Sequence, residues 1–481
     1  FIGSGQFALS KTPNSEKAFF LFQLFMAATS ATIMSGAIAG RASIDVYYVC
    51  VVGISGFIFP VVTHWAWSEQ GWLSPFAEPK DRVGHNTDDD ICGYIDFAGS
   101  GCVHITGGMA ALMGAWLIGP RTGRFEVPEA FEQSNQALIA IGVLILWFGW
   151  FGFNAGSTLD LLGDIAAKAA VTTTLSPCAA GLTALLYTRL LRNKWEIGQM
   201  LNCVLAGLVS ITAGCPFVSD WASIIIGIAG ALVYLVASRC IELARIDDPV
   251  NAIAIHGVCG IWGCLAVGIF GIKEDIQAFY SKCPNAKGNS TGMQFAIQLL
   301  GVVVIISWTV VMMGIILCTC KFLFGTLRIT VEEEQYGMDQ TEHMDESNHG
   351  RDGSSHGRKP PAKHYESNSS MKILNLTKPK DPERVSRPLS NLHTRFSKAE
   401  ESSQPVLVQP SSKNDGGVHL ANTPGEETKG GGGKSNSTNR QEMEQMSTEF
   451  DMKQIPKPRG IDVSQDGKVQ PNGLPSSTLT L

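Results

Sequence analysis

Residues 96–108 read Asp96-Phe97-Ala98-Gly99-Ser100-Gly101-Cys102-Val103-His104-Ile105-Thr106-Gly107-Gly108, and residues 248–260 read Asp248-Pro249-Val250-Asn251-Ala252-Ile253-Ala254-Ile255-His256-Gly257-Val258-Cys259-Gly260. In each stretch an Asp stands eight residues before a His, and a Gly stands four after it. Both histidines are set among small and apolar residues. A charged side chain at mid-bilayer costs on the order of 2.5–3.5 kcal/mol on insertion scales, so polar groups inside apolar helices persist where they are paired or used. One such His is commonly a hydrogen-bonded core residue. Two at matched positions, each followed by small residues that let helices approach closely, point to a functional pair.

Working outward from these stretches, the chain divides in two. The whole has 481 residues, 45% hydrophobic and 17% charged, with net charge −6. Residues 1 to about 328 are rich in Leu, Ile, Ala, Gly and Phe, and the remainder in Ser, Asn, Lys, Glu, Pro and Gly. The first part can bury a large apolar surface and the second cannot. No basic cluster is interleaved with aromatics, so nucleic acid is not an expected partner. Nine segments approach the roughly 20 apolar residues needed to cross a bilayer: 18–39, 45–66, 94–119, 136–157, 165–188, 197–215, 221–243, 252–271 and 294–324. In lipid these must be helices, because the backbone has no other partner there.

Lys and Arg gather on alternate loops: Arg41, then Arg121 and Arg124, then Arg189, Arg192 and Lys194, then Arg239 and Arg245, with Lys321 and Arg328 after the last span. The positive-inside rule puts these in the cytoplasm, the N-terminal segment outside and the tail inside. Acidic loops with Asp88-Asp89-Asp90 and with Asp160 and Asp164 fall on the outer side, although Lys80, Arg82 and Lys273 lie there too. The sequon at Asn289 falls in an outer loop and is a candidate glycosylation site. With this topology the third and eighth spans run in opposite directions, so their matched histidines mark an inverted repeat with a transport site where the halves meet.

Most of the twelve cysteines sit in apolar runs as small hydrophobes. Cys92 and Cys283 fall in outer loops, where a disulfide is chemically allowed; the sequence leaves their pairing open. Asp248, in Asp247-Asp248-Pro249, is read as a helix cap. Asp96 is read either as a cap or as a carboxylate at a cation entrance. Two aromatic clusters, His64-Trp65-Ala66-Trp67 and Trp147-Phe148-Gly149-Trp150-Phe151-Gly152-Phe153-Asn154-Ala155-Gly156-Ser157, end the second and fourth spans. Trp65, Trp147 and Trp150 fit an interfacial belt or a vestibule in which indole faces attract a cation and Ser157 accepts its N–H.

Taken together, these motifs resemble the ammonium transporter (Amt/Mep/Rh) family, ammonium transporter branch, from residue 1 to about 343. The resemblance rests on Asp96-Phe97-Ala98-Gly99 with His104, on Gly149 through Ser157, on Asp247-Asp248-Pro249 and on His256-Gly257-Val258-Cys259-Gly260-Ile261-Trp262-Gly263. It implies an all-α polytopic membrane protein of the inverted-repeat ammonium transporter fold, with eleven helices per subunit, a pore in each and a trimeric assembly. Nine spans here correspond to nine of the eleven, and the first two are expected upstream of Phe1; no signal peptide is read at the start of the chain.

The resemblance further implies Trp67 and Ser157 as the external ammonium site with Asp96 in support, Phe153 as the inner phenyl gate, and His104 and His256 as the paired pore imidazoles. The outer gate phenylalanine falls on Met26, beside Phe25, the acidic residue after the third family helix on Gly40, and an aspartate of the second repeat on Asn251. Arg328 to Asp339 resembles the cytoplasmic segment that couples subunits. Three regions are therefore expected: a transport domain at 1–328, a coupling segment at 329–344 and a disordered cytoplasmic tail at 345–481. The expected function is transport of ammonium, and of methylammonium as its analogue, across the plasma membrane. No enzymatic chemistry, metal or cofactor is called for. The rival readings are an ammonium sensor signalling through the tail, and an inactive fragment.

Overall fold

The structure is a computed structural model and describes residues 13–83, 92–133, 135–159, 163–283 and 291–338. The sequon Asn289, the acidic runs Asp88–Asp90 and Asp160, and the whole tail from Asp339 onward lie outside the described residues.

All nine expected spans are helical. They are α1 (Lys17–Ile38), α2 (Ile44–Trp67), α3 (Ser100–Ile118), α4 (Gln136–Thr158), α5 (Asp164–Arg192), α6 (Ile197–Thr212), α7 (Asp220–Leu243), α8 (Ile253–Phe270) and, after the short α9 (Lys273–Phe279), α10 (Gly292–Phe324). A short helix α11 (Val331–Tyr336) follows. Eight of these are long and apolar enough to cross a membrane by length and composition, and α6, with 16 residues, is shorter. Among the described residues there is no strand, only an isolated bridge between Ala42 and Arg328.

The third span departs from expectation. It was placed from residue 94, but the helix begins at Ser100 and residues 92–96 have no regular secondary structure. Gly99, with φ +105°, turns the chain in a conformation that a side chain would strain. The Asp96 carboxylate then receives the N–H groups of Gly99 (3.1 Å), Gly101 (2.9 Å) and Cys102 (2.8 Å). These are donors that the first turn of a helix leaves without partners.

Three spans contain a π-helical turn: Ile54–Ile58, Ser100–Ile105 and Ile253–Val258. Such turns are rare and favour functional sites. The second holds His104 and the third holds His256. The two helices meet backbone to backbone beside them. A Cβ on Gly108 would lie 2.2 Å from the Gly257 nitrogen, and one on Gly257 would lie 2.7 Å from Met109 Cε. The small residues read as packing positions therefore pack α3 against α8 where the histidines lie.

At the end of the bundle that carries Trp67, Cys92 and Cys283 are bridged, with Cα atoms 4.9 Å apart. This settles the pairing that the sequence left open. Beside them Arg82 is buried and gives N–H groups to the carbonyls of Pro75, Ala77 and Lys282.

The opposite end is organised by arginines. Arg41 is wholly buried and donates to the carbonyls of Gly119, Ala39 and Asp247; burial lowers its pKa to about 10. Arg121 grips the Asp247 carboxylate with Nε (2.8 Å) and Nη2 (2.9 Å). Arg328 and Thr122 share Glu334 of α11, so the segment after α10 is docked on the loops that follow α1 and α3.

Candidate pore and vestibule

The two imidazoles meet. Nδ1 of His104 lies 3.2 Å from Nδ1 of His256, with ring centroids 5.1 Å apart and planes 20° from parallel. Between neutral rings such a contact needs one nitrogen to carry a proton and the other to accept it. The pair then has one outward nitrogen free to accept and another free to donate. His104 Nε2 is buried and has no hydrogen-bond partner. An unpaired buried polar atom costs about 1–3 kcal/mol, so a hydrogen-bonding solute beside this nitrogen would be stabilised. His256 is partly exposed although it sits within a span.

His104 also packs against Trp150, stacked at 5.1 Å and 12°, with Phe153 at 5.5 Å. Trp150 is fixed through its Nε1, which donates to Thr212 Oγ1 at 2.9 Å; that hydroxyl in turn donates to the Leu208 carbonyl. Neither sequence reading of Trp150 holds: it is 6% exposed and is a wall of the histidine pair rather than a belt or vestibule residue. The clue was its spacing. Trp150, Phe153 and Ser157 fall three and seven residues apart and so share one face of α4.

Two cavities adjoin on this face. One, of about 170 Å³, brings Trp67 and Ser157 together with Phe19, Phe22, Gln23 and Glu69 among its lining. The other, of about 430 Å³, is lined by Met26, Phe25, Trp150, Phe153 and His104, and Phe22 belongs to both. The sequence singled out Met26 but not Phe19, Phe22 or Gln23. They stand at i, i+3, i+4 and i+7 on α1, a stripe that signals a shared face but not what it faces.

Two of the groups lining the first cavity have their donors already engaged. Trp67 spends its Nε1–H on the Asp96 carbonyl at 2.7 Å, which leaves the indole face for the cavity. Ser157 donates its hydroxyl hydrogen to the Phe153 carbonyl at 2.6 Å, which leaves its oxygen lone pairs as acceptors. Asp96 is 1% exposed with both carboxylate oxygens engaged, so of its two readings the geometry fits the cap. Asp248 does the same for α8, taking the Ile253 N–H at 2.7 Å.

A bundle of apolar helices in which two spans cross at glycines, with paired imidazoles at the crossing and an aromatic vestibule beyond, defines a polytopic membrane transport protein. The sequence profile of the Ammonium Transporter Family matches residues 1–348, and the chain belongs to that family. It is 38% identical over 365 residues to the putative ammonium transporter 1 member 5 of Arabidopsis thaliana, covering 71% of this chain and 72% of that one. To ammonium transporter 1 member 1 of the same plant it is 38% identical over 366 residues, 71% of each chain. Among solved structures it is similar to a protein titled Sensor Amt Protein (TM-score 0.58, 35% identity, 68% of this chain and 77% of that one). It is also similar to Candida albicans Mep2 (TM-score 0.56, 28% identity, 66% and 67%). The fold is that of the ammonium transporters.

Proposed function

We propose that the protein carries ammonium across the plasma membrane, recruiting it as the cation at Trp67 and Ser157 and passing it as ammonia along His104 and His256, with the proton handled separately. The observation that carries this is the 3.2 Å pair of imidazoles at the crossing of two spans, with His104 Nε2 lacking a partner. A bare ion in an apolar lane costs tens of kcal/mol by Born estimates, whereas an indole face returns about 0.5–2 kcal/mol. Neutral ammonia is a small polar solute, and imidazole nitrogens supply hydrogen bonds in place of the water it leaves. Potassium has no proton to shed and stays outside.

Phe153 and Met26 stand at the second cavity as inner and outer gates, with Met26 in place of an aromatic ring. Asp96 supports the vestibule from behind, through its carbonyl on Trp67 and its cap on α3. Deprotonation is assigned to the vestibule above Phe153, with the proton passing to water there, since the Asp96 carboxylate is fully engaged. The charge pattern of the loops supports an N-terminal segment outside and a tail in the cytoplasm. On this reading residues 1–328 are the transport domain and 329–344 a coupling segment between subunits of a homotrimer, while 345–481 lie outside the described residues. The docking of Arg328 and Glu334 on Thr122 supports the coupling role.

The test is uptake of labelled methylammonium, and currents driven by an ammonium gradient, in liposomes holding the full chain. Flux no greater than in protein-free liposomes refutes transport. A sensor is the second reading, favoured by the likeness to a protein titled Sensor Amt Protein. Removing residues 345–481 separates the two: a transporter keeps conduction, while a sensor shows negligible flux with or without its tail.

A further inference from the structure

No residue of α10 lines either cavity. Yet one stripe of that helix is shaped to receive the non-helical segment that precedes α3. Gln294, Gln298, Gly301 and Ile305 recur at spacings of four, three and four, which puts them on a single helix face. Gln294 Nε2 donates to the Gly93 carbonyl at 2.9 Å and to Gln298 Oε1 at 3.2 Å. Gln298 Oε1 accepts the Ile95 N–H at 2.7 Å, and its Nε2 donates to the carbonyls of Ile95 (2.7 Å) and Cys264 (2.8 Å). At Gly301 a Cβ would come within 2.3 Å of the Tyr94 ring, so the ring rests on bare backbone.

Gln298 thus treats Ile95 as a neighbouring β-strand would, taking its N–H and giving to its C=O. Buried amides are costly unless satisfied, and this one is satisfied at both ends. An apolar side chain would fill the same space without that requirement. What the amide adds is the position of one residue's backbone, held at both its N–H and its C=O. The next residue along is Asp96, whose carbonyl receives the Trp67 indole and whose carboxylate starts α3, the helix of His104.

We propose that Gln298, propped by Gln294, is a positioning residue for the cation vestibule: by holding Ile95 it sets the Asp96 carbonyl against Trp67 and so aims the indole face. This rests on the reading of Trp67 as the cation site. The consequence is a remote control of apparent affinity from a helix that never meets the solute.

The experiment measures methylammonium uptake against concentration, with the full-length chain in liposomes and rates normalised to folded protein. The variants are Gln298→Leu, Trp67→Phe, which keeps a ring but lacks the N–H, Trp67→Leu, and the double variant Gln298→Leu with Trp67→Phe. Gln298→Leu is expected to raise the half-saturating concentration about threefold to tenfold while the plateau stays within about twofold. In the Trp67→Phe background the same change should add less than about twofold, because the bond it protects is already gone. Should Gln298→Leu not fold, Gln294→Leu removes only the prop and should give a smaller rise, again absent with Trp67→Phe.

An unchanged half-saturation, a loss confined to the plateau, or effects of Gln298 and Trp67 that multiply would each overturn the positioning role. If Trp67→Leu itself leaves half-saturation unmoved, the cation-site reading falls first and this inference with it.

Discussion

Replacing His104 by Leu removes one imidazole from the lane while keeping the space between Trp150 and His256 filled and dry. The centroids of those rings each lie 5.1 Å from that of His104, so an apolar side chain of similar bulk fits the slot. Alanine would instead leave a hole that water could enter, and water can stand in for an imidazole and also hydrate other ions. With Leu the passing ammonia loses a hydrogen-bond partner that nothing replaces. An unmade hydrogen bond at a buried polar group costs about 1–3 kcal/mol. At 1.36 kcal/mol per decade that is a fall of roughly 5-fold to 150-fold in rate. The partner ring is affected too: His256 Nδ1 loses its contact at 3.2 Å, which puts the effect toward the upper part of that range. The assay is initial uptake of labelled methylammonium into liposomes at equal amounts of folded protein, with potassium permeability followed in the same vesicles. Uptake should drop with potassium still excluded, and the combined change of His104 and His256 to Ala should alter selectivity or abolish uptake. Flux within about twofold of the parent in the Leu variant would refute the lane.

Three further outcomes are expected. Trp67→Leu deletes an indole face worth about 0.5–2 kcal/mol to a cation, so half-saturation by ammonium should rise roughly 2-fold to 30-fold with little change in plateau. Glu69, exposed at the vestibule wall, should concentrate cations: at a typical separation of roughly 7 Å in water a unit charge is worth about 0.6 kcal/mol, so Glu69→Gln should raise half-saturation about 2-fold to 3-fold at low ionic strength and lose its effect near 1 M salt. Asp247→Asn removes the negative charge and one of the two oxygens that accept from Arg121, in a pair whose carboxylate is 1% exposed and whose guanidinium is 21% exposed, and should cost about 3 kcal/mol of stability, visible as a lower melting temperature in detergent. Burial pushes the Asp247 carboxyl up, but the hydrogen bonds and charge of Arg121 outweigh it and hold the group below its ordinary value. Its contribution is therefore present above the ordinary carboxylate range and lost as pH falls through the lowered pKa, so the gap between parent and variant should close only in strong acid, below about pH 4.

Much of the architecture was legible because lipid leaves few choices. Apolar runs of sufficient length must be helices, and all nine are. The matched Asp-to-His spacing also pointed correctly to a meeting of His104 and His256. What the sequence could not show depends on contacts across long separations. The start of α3 was drawn too early because Tyr94, Ile95, Phe97 and Ala98 are apolar and buried, as helix residues would be. Their backbone N–H groups instead go to the Leu73 carbonyl from Tyr94, to Gln298 in α10 from Ile95, and to the carbonyls of Ala213 and Thr212 from Phe97 and Ala98. Cys92 and Cys283 stand 191 residues apart and nothing local pairs them. Arg41 and Arg82 counted as loop charges, but both are buried and spend their donors on carbonyls.

The two aspartates carry the same lesson to the mechanism. A carboxylate at the mouth of a cation path invites assignment as a ligand, yet Asp96 and Asp248 each turn inward onto the first N–H groups of a histidine-bearing helix. In each case the helix opens with a π-helical turn, and the His lies within that turn. A π turn leaves its backbone groups less regularly paired than an α turn, so it needs an anchor at its start to hold one geometry. The anionic cap supplies it, with charge-assisted bonds of 2.7–2.9 Å. The repeated unit is therefore cap, π turn and imidazole together. Used twice and crossed at Gly108 and Gly257, it sets two rings at hydrogen-bonding distance without any direct bond from either aspartate to the solute. If so, Asp96→Asn should weaken transport by misplacing His104 and Trp67 rather than by removing a base. The loss should then be similar at every pH at which the protein is folded. A loss that follows the titration of a carboxylate would return Asp96 to the proton path.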